Sequence, residues 1–449
     1  MTVRVCVLRG RAADIADRRS RNRSRCPVAT VDPTPPRSRD LQRNDGGLRA
    51  CILQMTAFMG MRTIGIMGRV LDQDDGLGLY ARHLLEHLVR LDSGSRYVIF
   101  LASPVAQGFL AGQSNVEMRL LPSRNRLLWD QVHLPRAARR LGVDLLFNPK
   151  FSLPFFSRIP GVFILQSCDW YVNPGNYPWW DNIYIRAMLP LYCRKARAIL
   201  AISQAALDEL VRHGLRVPSA IVTHAGLGPG YTTEADPEEL RRFRSDYALP
   251  EHFILTVARV LHSGHRRLLD YPGGNNERLL RAYREYRRRT SSPLPLVVAG
   301  RRIREYVLAR GFGAADLEGV HFLGFVPNER LHAAYRLADC FVLATLCESF
   351  GLPILEALAT GCPAIVPNTC AGPEVADGAA RLVDPHSEDE LTRALLEVTG
   401  SQALRRKMSA AGREQARRFS WQQSAQRVLE AFDLALAGEP ISRAAVARR

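Results

Sequence analysis

The sequence predicts an α/β protein with two doubly wound, parallel-sheet domains that face a common cleft. From Thr63 onward, short apolar runs alternate with segments whose apolar residues recur at helical spacing, as in Tyr80–Leu91. This alternation is typical of βα units. It starts again after a polar helical segment, Asp236–Tyr247. Because parallel strands bind ligands outside their carboxyl ends, two such halves are expected to enclose a ligand cleft.

The predicted elements divide the chain into five segments. We expect a basic extension over 1–60, a first domain over 61–235, a linker over 236–250, a second domain over 251–419, and a terminal helix with its tail over 420–449. The predicted strands are Thr63–Met67, Tyr97–Leu101, Val116–Leu121, Asp144–Phe147, Gly161–Leu165, Ala198–Ser203, Ala220–His224, Phe253–Val257, Leu296–Ala299, Val320–Leu323, Phe341–Ala344, Ala364–Pro367 and Ala380–Val383. The predicted helices are Tyr80–Leu91, Leu134–Leu141, Gln204–His213, Asp236–Tyr247, Asn276–Arg288, Asn328–Leu337, Pro353–Ala359, Glu388–Thr399, Gln402–Phe419 and Trp421–Leu436.

The first sixty residues differ in composition from the rest. They hold twelve arginines and five aspartates, an Arg-rich run at Arg18–Arg25 and a Pro-rich run at Val31–Arg39. Such a segment cannot bury enough apolar surface to fold, so we expect a disordered basic extension. Met61–Ile66 leads directly into the first strand and favours Met61 as the natural start. The alternative is an arm that binds nucleic acid or a membrane.

Composition indicates a globular protein without a membrane span. Hydrophobic residues make up 47% of the 449 residues and charged residues 23%, which are ordinary values. No apolar run reaches the ~18 residues that a transmembrane helix needs. Nine cysteines occur without a CxxC pair, and we expect them to be free, mostly buried thiols in a reducing compartment. The expected location is the cytoplasm, either in solution or at the inner face of the membrane.

The positive charge has two interpretations. The extension contributes +7 of the net +17, which leaves +10 for the body. This suits a protein that handles anionic substrates or rests on an anionic membrane, although a solvated basic exterior explains it equally well. The segment Arg124–Arg140 mixes arginine with leucine and tryptophan. It predicts either a membrane contact beside a lipid acceptor or an ordinary amphipathic helix.

The most informative stretch is Cys340–Cys362, which predicts a strand, a loop and a helix. Pro353 suits the first helical turn, and Gly361 suits the position just past the helix end. Glu348 lies in the loop and Glu356 in the helix, eight positions later. Free N–H groups at a helix N-terminus form an anion site. Two carboxylates around such a site suit a ligand with hydroxyls on both sides of a phosphate.

The run Glu348–Pro363 resembles the signature of glycosyltransferase family 4, whose members are retaining enzymes of the GT-B fold. Gly76–Arg82 is similar to the first glycine loop of the family, and Gly372–Val375 is similar to its L-P-E-V element. The resemblance extends over nearly everything after Met61. It implies two Rossmann-like domains and a C-terminal helix that crosses back onto the first domain.

The resemblance also implies a function. The expected reaction moves a hexose, mannose-like by default, from a nucleoside-diphosphate sugar to a glycan or lipid-linked acceptor, in bacterial polysaccharide or cell-envelope synthesis. No metal and no cofactor are expected, and neither is a nucleic-acid partner; a peripheral membrane contact fits a lipid acceptor. The implied catalytic residues are Glu348, Arg259 and Asp169, and the acceptor side holds Gln166 and Asp169. The implied donor-binding residues are Gly76, Gly78, Arg259, Gly300, Val326, Ser349, Phe350, Gly351, Leu352 and Glu356.

Two positions depart from the family pattern. Gly274 stands where the family has a phosphate-binding lysine, and Arg266 or Arg267 is a candidate replacement. Gln166 or Cys168 occupies the place of an acceptor-side histidine, and glutamine cannot accept a proton at neutral pH. These departures keep open a catalytically weakened sugar-nucleotide-binding protein of the same fold. A nucleotide-sugar epimerase is a further alternative, which the Gly351–Pro353 context disfavours.

Overall fold

The computed structural model describes residues 61–73, 76–123, 125–217, 220–232, 234–262, 268–270 and 274–438. The predicted extension over 1–60 lies outside these residues, and so do Arg266 and Arg267. Both sheets of the protein belong to one compact unit.

The first sheet contains seven parallel strands in the order β3-β2-β1-β4-β5-β6-β7. The strand order reverses between β1 and β4, and this is where parallel α/β sheets bind ligands. Its strands are β1 (Thr63–Met67), β2 (Arg96–Leu101), β3 (Val116–Leu120), β4 (Leu145–Asn148), β5 (Gly161–Leu165), β6 (Ala198–Ala201) and β7 (Ile221–Val222). The central strands are buried along their whole length because helices cover both faces.

The second sheet contains six parallel strands in the order β12-β11-β8-β13-β14-β15. Its order reverses between β8 and β13. The strands are β8 (Ile254–Val257), β11 (Leu296–Ala299), β12 (Val320–Gly324), β13 (Cys340–Val342), β14 (Ala364–Pro367) and β15 (Arg381–Val383). An antiparallel hairpin, β9 (Val260–His262) and β10 (Leu268–Asp270), follows β8 directly.

Sixteen helices of the described chain connect the strands. They are α1 (Gly76–Leu91), α2 (Arg126–Leu128), α3 (Leu134–Arg140), α4 (Asp169–Val172), α5 (Trp179–Lys195), α6 (Gln204–Arg212), α7 (Pro229–Thr232), α8 (Pro237–Asp246), α9 (Asn276–Arg289), α10 (Ile303–Ala309), α11 (Asn328–Leu337), α12 (Leu352–Thr360), α13 (Gly372–Ala376), α14 (Glu388–Gly400), α15 (Gln402–Ala416) and α16 (Trp421–Ala437). A π-helical turn, Trp129–His133, joins α2 to α3, and short 3-10 turns occupy Gly68–Asp72 and Pro174–Asn176.

The last helix, α16, packs on the first domain. Phe432 makes an edge contact with Phe147 of β4, with ring centroids 5.1 Å apart, and Trp421 makes one with Tyr80 of α1 at 5.2 Å. The hydroxyl of Thr223 donates to the carbonyl oxygen of Ser424 at 3.3 Å. The predicted fold class is therefore confirmed, with two doubly wound parallel sheets and a terminal helix that crosses back.

Two local predictions were wrong. Gly76 and Gly78 were expected in a loop, yet both lie in the first turn of α1. A Cβ on Gly78 would lie 1.9 Å from the carbonyl oxygen of Gln73. Glycine at this position therefore allows the backbone of the preceding turn to pack closely against α1. The long helix α5 was not predicted, because apolar residues lie on both its buried and its exposed faces and because Pro190, a residue that disfavours helix, lies inside it.

A half-buried carboxylate joins the two domains away from the sheets. Glu374 of α13 accepts hydrogen bonds from the backbone N–H groups of Gln204 and Ala205, at 3.0 and 2.8 Å, at the start of α6. His224 Nε2 contacts the same carboxylate at 2.7 Å. Burial alone would raise the pKa of Glu374, but the bonds from His224 and the two N–H groups outweigh it, and the pKa is lowered.

This junction predicts a pH-dependent stability contribution. Because its pKa is lower in the folded chain, Glu374 stabilises the fold above its unfolded pKa, and this stabilisation is lost as the pH falls through the folded pKa. We expect Glu374→Gln to lower the free energy of unfolding by about 1–3 kcal/mol at pH 7.5 and by clearly less at pH 4, in urea titrations. Glu414→Gln, an exposed surface pair with Arg417, serves as the control. An equal loss at both pH values would contradict this assignment.

Candidate functional site

A cleft of about 350 Å³ lies where the carboxyl ends of the two sheets meet. Strands β8 and β13, which flank the reversal point of the second sheet, both end beside it. The lining residues come from both domains and are Gly76, Leu77, Tyr80, Gln166, Ser167, Asp169, Trp170, Tyr177, Ile202, Thr256, Val257, Ala258, Arg259, Gly274, Asn275, Asn276, Leu279, Leu343, Ala344, Thr345, Cys347, Glu348, Ser349, Phe350, Gly351, Leu352 and Pro353.

Three helices begin at this cleft. The first residues of α1, α9 and α12, namely Gly76, Asn276 and Leu352, all line it. The first N–H groups of a helix lack intrahelical partners, and the helix dipole adds positive potential there. Gly351 precedes α12 with a φ of 87°, a left-handed conformation that glycine adopts readily. The cleft is therefore suited to a negatively charged group such as a phosphate.

Arg259 adds a cation to these helix ends. It follows β8, and its Nη1 lies 3.9 Å from the position that a Cβ on Gly76 would take. The guanidinium of the second domain thus reaches the first turn of α1 in the first domain. Among the described residues that line the cleft, Arg259 is the one with a cationic side chain. Gly274 lines the cleft as well and contributes no charge at the place of the family lysine.

The surroundings of Glu348 raise the pKa of its carboxyl. Burial raises this pKa to about 7, and the negative charge of Asp169 adds a smaller contribution, while a hydrogen bond from Thr345 and the charge of Arg259 act in the opposite direction. Glu348, Asp169 and Arg259 therefore interact electrostatically across the cleft. A carboxyl with such a pKa changes its protonation state within the range in which cells work.

Asp169 is held in place by two side chains. Its carboxylate accepts hydrogen bonds from Asn173 Nδ2 and from the hydroxyl of Tyr177, both at 2.7 Å. The side chain is buried, and burial raises its pKa despite these two bonds. The ring of Tyr177 and the adjacent Trp170 line the cleft too, so this part of the first domain presents aromatic surface next to a fixed carboxylate.

Gln166 and Cys168 are the two residues that could occupy the place of the family's acceptor-side histidine, and their surroundings differ. Gln166 lines the cleft; its Nε2 donates to the carbonyl oxygen of Pro149, whereas its buried Oε1 has no hydrogen-bond partner within the described chain. Cys168 is not among the lining residues, and its Sγ lies 3.8 Å from Sγ of Cys347. Of the two, Gln166 is therefore the residue in the lining, and its buried Oε1 is an acceptor atom without a partner in the described chain.

The loop between β13 and α12, Leu343–Gly351, joins the domains through its side chains. The carbonyl oxygen of Ser349 accepts from the hydroxyl of Ser203 at 2.5 Å, and its Oγ accepts from the N–H of Cys168 at 3.2 Å. The ring of Phe350 is buried, with the rings of His224 and Phe419 each centred 5.8 Å away. Ser349 and Phe350 thus fix the loop, and Gly351 and Leu352 follow them in the lining at the start of α12.

Four predicted donor-binding residues lie outside the lining of the cleft. Gly78 is packed against the preceding turn, and Val326 belongs to the hydrophobic core. At Gly300, a Cβ would lie 2.1 Å from the carbonyl oxygen of Ala258, so this glycine allows the close approach of the loop that carries Arg259. Packing within the protein explains the residue type at each of these three positions. A contact between any of them and the sugar donor stays a prediction.

The fourth, Glu356, faces two tyrosines. The hydroxyl of Tyr335 donates to its Oε2 at 2.9 Å, and Tyr231 bonds to it as well. Burial raises the pKa of the Glu356 carboxyl to about 7, although both tyrosines act to lower it. The predicted contact of Glu356 with ribose hydroxyls stays a prediction.

The expectation that all cysteines are free was wrong for two of them. Cys347 and Cys370 form a disulfide, with Cα atoms 5.4 Å apart. The loops after β13 and β14 meet because these parallel strands are neighbours, and the positions of the two cysteines in the sequence do not reveal this adjacency. The bond ties the Glu348 loop to the segment before α13, helped by a hydrogen bond from Ala371 N to the carbonyl oxygen of Glu348 at 3.1 Å. The buried thiols are Cys168, Cys193, Cys340 and Cys362.

The sulfurs of Cys168, Cys347 and Cys370 all lie within 4.8 Å of one another. Within the described ranges, this is the group of three metal-ligating side chains that comes close together. Two of its sulfurs are bonded to each other, so the group offers a single thiol, which is a poor ligand set.

Family matches cover most of the body of the chain. The family described as Glycosyltransferase Family 4 matches residues 75–225, and the family described as Glycosyl transferases group 1 matches residues 272–415. Together these segments span more than half of the chain. The first covers α1 to β7, and the second covers α9 to most of α15.

Relatives among characterised proteins include mannosyltransferases. The chain is 27% identical over 245 residues to the serotype-specific mannosyltransferase WbdA of Escherichia coli, across 53% of this chain and 29% of that protein. It is 33% identical over 165 residues to the O-antigen chain mannosyltransferase B of Escherichia coli, across 36% of this chain and 43% of that protein. The chain thus spans less than half the length of these relatives.

Solved structures share the fold over nearly their entire length. A glycosyltransferase from Rickettsia africae superposes with a TM-score of 0.65 at 15% identity, across 85% of this chain and 100% of that chain. Anabaena Alr3699/HepE, crystallised with UDP and glucose, superposes with a TM-score of 0.64 at 18% identity, across 83% and 99%. At these identities the likeness concerns the fold. The two family matches and the two-sheet architecture lead to one conclusion: the chain belongs to glycosyltransferase family 4 and has the GT-B fold.

Proposed function

We propose that the protein transfers a hexose from a nucleoside-diphosphate sugar to a glycan or lipid-linked acceptor, with retention of configuration at the anomeric carbon and without a metal ion. The observation that carries this proposal is the meeting of Arg259 with the N-terminus of α1 beside Glu348, in a cleft that α12 also enters. A mannose-like sugar is the leading donor, because the relatives named above are mannosyltransferases.

The charge in the cleft suits a leaving diphosphate. When the bond between the anomeric carbon and the phosphate oxygen breaks, negative charge grows on the diphosphate, and donors aimed at that charge lower the barrier. Arg259 can grip a phosphate through two N–H groups. The backbone N–H groups of Gly351 and Leu352 supply further donors from the start of α12. In this proposal these groups carry the charge that a metal ion carries in other transferases.

Retention requires that the acceptor approach the face from which the diphosphate leaves. In the proposed step, the acceptor oxygen bonds to the anomeric carbon while the carbon–oxygen bond to the phosphate breaks, and the acceptor proton passes to a phosphate oxygen. Gln166 cannot take that proton, but its unpartnered Oε1 can accept a hydrogen bond from the acceptor hydroxyl and hold it in place. Asp169, fixed by Asn173 and Tyr177, can accept a second such bond.

Glu348 has a separate role in the proposal. Its ionised carboxylate accepts hydrogen bonds from the donor sugar and stabilises the positive charge that develops at the anomeric carbon. This role requires the ionised form, and the pKa of about 7 places the change of protonation inside the working range.

A second candidate function is a catalytically weakened protein that binds sugar nucleotides. Gly274 in the cleft lining and the absence of a proton acceptor at Gln166 favour it. A panel of nucleotide sugars scored by thermal shift tests donor binding, since a ligand stabilises the fold that binds it. Measured turnover of the best binder then separates the two candidates. If wild type and Gly274→Lys both bind a donor and neither transfers nor hydrolyses it, the enzyme proposal fails.

Arg259 should be nearly as important for transfer as Glu348. Because Arg259 is the described cation of the cleft, we expect Arg259→Ala to lower kcat by about 10²–10³-fold, close to the effect of Glu348→Ala. Arg288→Ala, an exposed arginine of α9, is the matched control and should leave kcat unchanged. A loss below about tenfold for Arg259→Ala would show that other cations neutralise the diphosphate.

The pH profile should report Glu348. Because its raised pKa keeps the carboxyl protonated in acid, kcat/KM for the donor should rise with pH through about 7 and level off above it. Glu348→Gln should remove this inflection along with most of the activity. Glu356→Gln is the informative comparison, because its carboxyl has a similarly raised pKa. If Glu356→Gln alone flattens the profile, the titrating group is Glu356.

A further inference from the structure

Helix α5 has an apolar face that the protein itself leaves uncovered. Trp180, Ile183, Ala187 and Leu191 are all exposed and follow one another at intervals of three and four residues, which places them on one face of a helix. The opposite face is buried in the first domain through Ile185, Leu189, Tyr192 and Cys193. Trp180 is 59% exposed and Ile183 60% exposed, so large apolar side chains project into solvent.

Neighbouring elements place further exposed apolar side chains beside α5. The ring of Phe155 stacks on Tyr192 of α5 with centroids 4.8 Å apart, and the next residue, Phe156, is 89% exposed. The guanidinium of Arg126 lies 5.9 Å from the ring centre of Tyr184, which places α2 beside α5. We call the combined surface the apolar face; it comprises Leu127, Leu128, Phe156, Trp179, Trp180, Ile183 and Leu191, all exposed.

Cations border the apolar face. The segments 156–158 and 179–197 contain five of them, against one acidic residue, Asp181. They are Arg158, Arg186, Arg194, Lys195 and Arg197, of which all but Lys195 are exposed. Exposed apolar surface with tryptophan and a basic border is typical of helices that lie in the interface of a bilayer. Anionic lipids attract such a border.

We propose that the apolar face docks onto the surface of an anionic lipid bilayer, with α5 parallel to the membrane plane. A second copy of the chain is a less suitable occupant, because it would bring five further cations against the same five. None of the described helices combines the length and the hydropathy that crossing a bilayer requires, and the proposed contact requires no crossing.

The docked face lies beside the acceptor side of the cleft. Helix α5 starts two residues after Tyr177, whose hydroxyl bonds to Asp169 and whose ring lines the cleft. A membrane at the apolar face would therefore present lipid headgroups close to Asp169. The docking proposal does not depend on the proposed sugar transfer, but it favours the lipid-linked alternative among the acceptors.

The structure assigns this role to a different segment from the one that the sequence suggested. In Arg124–Arg140, the large side chains Trp129 and Leu134 are buried in the core, and α2 contributes only Leu127 and Leu128 to the surface. The segment that carries the exposed tryptophans is α5.

Vesicle binding tests the proposal with the entire chain of 449 residues. Co-sedimentation with vesicles of mixed phosphatidylglycerol and phosphatidylcholine should show binding that weakens at least about tenfold in the double variant Trp180→Ser/Ile183→Ser. The matched control, Val211→Ser/Leu308→Ser, removes two other exposed apolar side chains and should bind as wild type does. Arg186→Gln/Arg194→Gln should weaken binding to the anionic vesicles by about tenfold.

Three outcomes would overturn the proposal. One is equal binding of wild type and the Trp180/Ile183 variant, which would assign any lipid affinity to another part of the chain, such as the basic residues of 1–60. Another is a dimer in size-exclusion chromatography that the same variant dissociates, which would make a second copy the occupant. The third is no binding by wild type. Thermal shifts with nucleotide sugars should be the same for wild type and all three double variants, so the docking proposal and the proposed function fail independently.

Discussion

The structure depends on one loop, Leu343–Gly351, that is held from both domains at once. From the first domain, Ser203 donates to the carbonyl oxygen of Ser349, and the ring of Phe350 is buried against His224. From its own domain, the Cys347–Cys370 disulfide ties the loop to the neighbouring strand connection. Because the loop cannot move relative to either sheet without breaking these contacts, the positions of Glu348 and of the start of α12 are set by the junction between the domains. The packing between the two domains therefore also determines the geometry of the site.

The local elements of the site were predictable from the sequence. The strand, loop and helix at β13 to α12 were predicted nearly to the residue because their signals are short in range: an apolar run, Gly351 and Pro353 before the helix, and Gly361 after it. The repeated alternation of strands and helices likewise predicted two parallel sheets. The family resemblance then located Arg259 and Gln166 at the cleft, where the described lining contains both.

Properties that depend on contacts between distant residues could not be predicted in this way. The disulfide joins loops 23 residues apart, and the pairing follows only from the strand order. Helix α5 was not predicted because apolar residues lie on two of its faces, one packed in the core and one exposed. Its sequence therefore lacks the apolar periodicity of an ordinary surface helix. The tyrosines that bond to Glu356 come from α7 and α11, and neither is near it in sequence.

Gly300 shows how a residue without a side chain can determine a binding site from outside it. Any Cβ at this position would collide with the carbonyl oxygen of Ala258, and Ala258 directly precedes Arg259. The placement of the Arg259 guanidinium in the cleft therefore requires that Gly300, which follows the neighbouring strand β11, has no side chain. A search for specificity determinants that considers only residues in contact with a ligand would overlook Gly300, and a substitution there would act on the position of Arg259 through the backbone of β8.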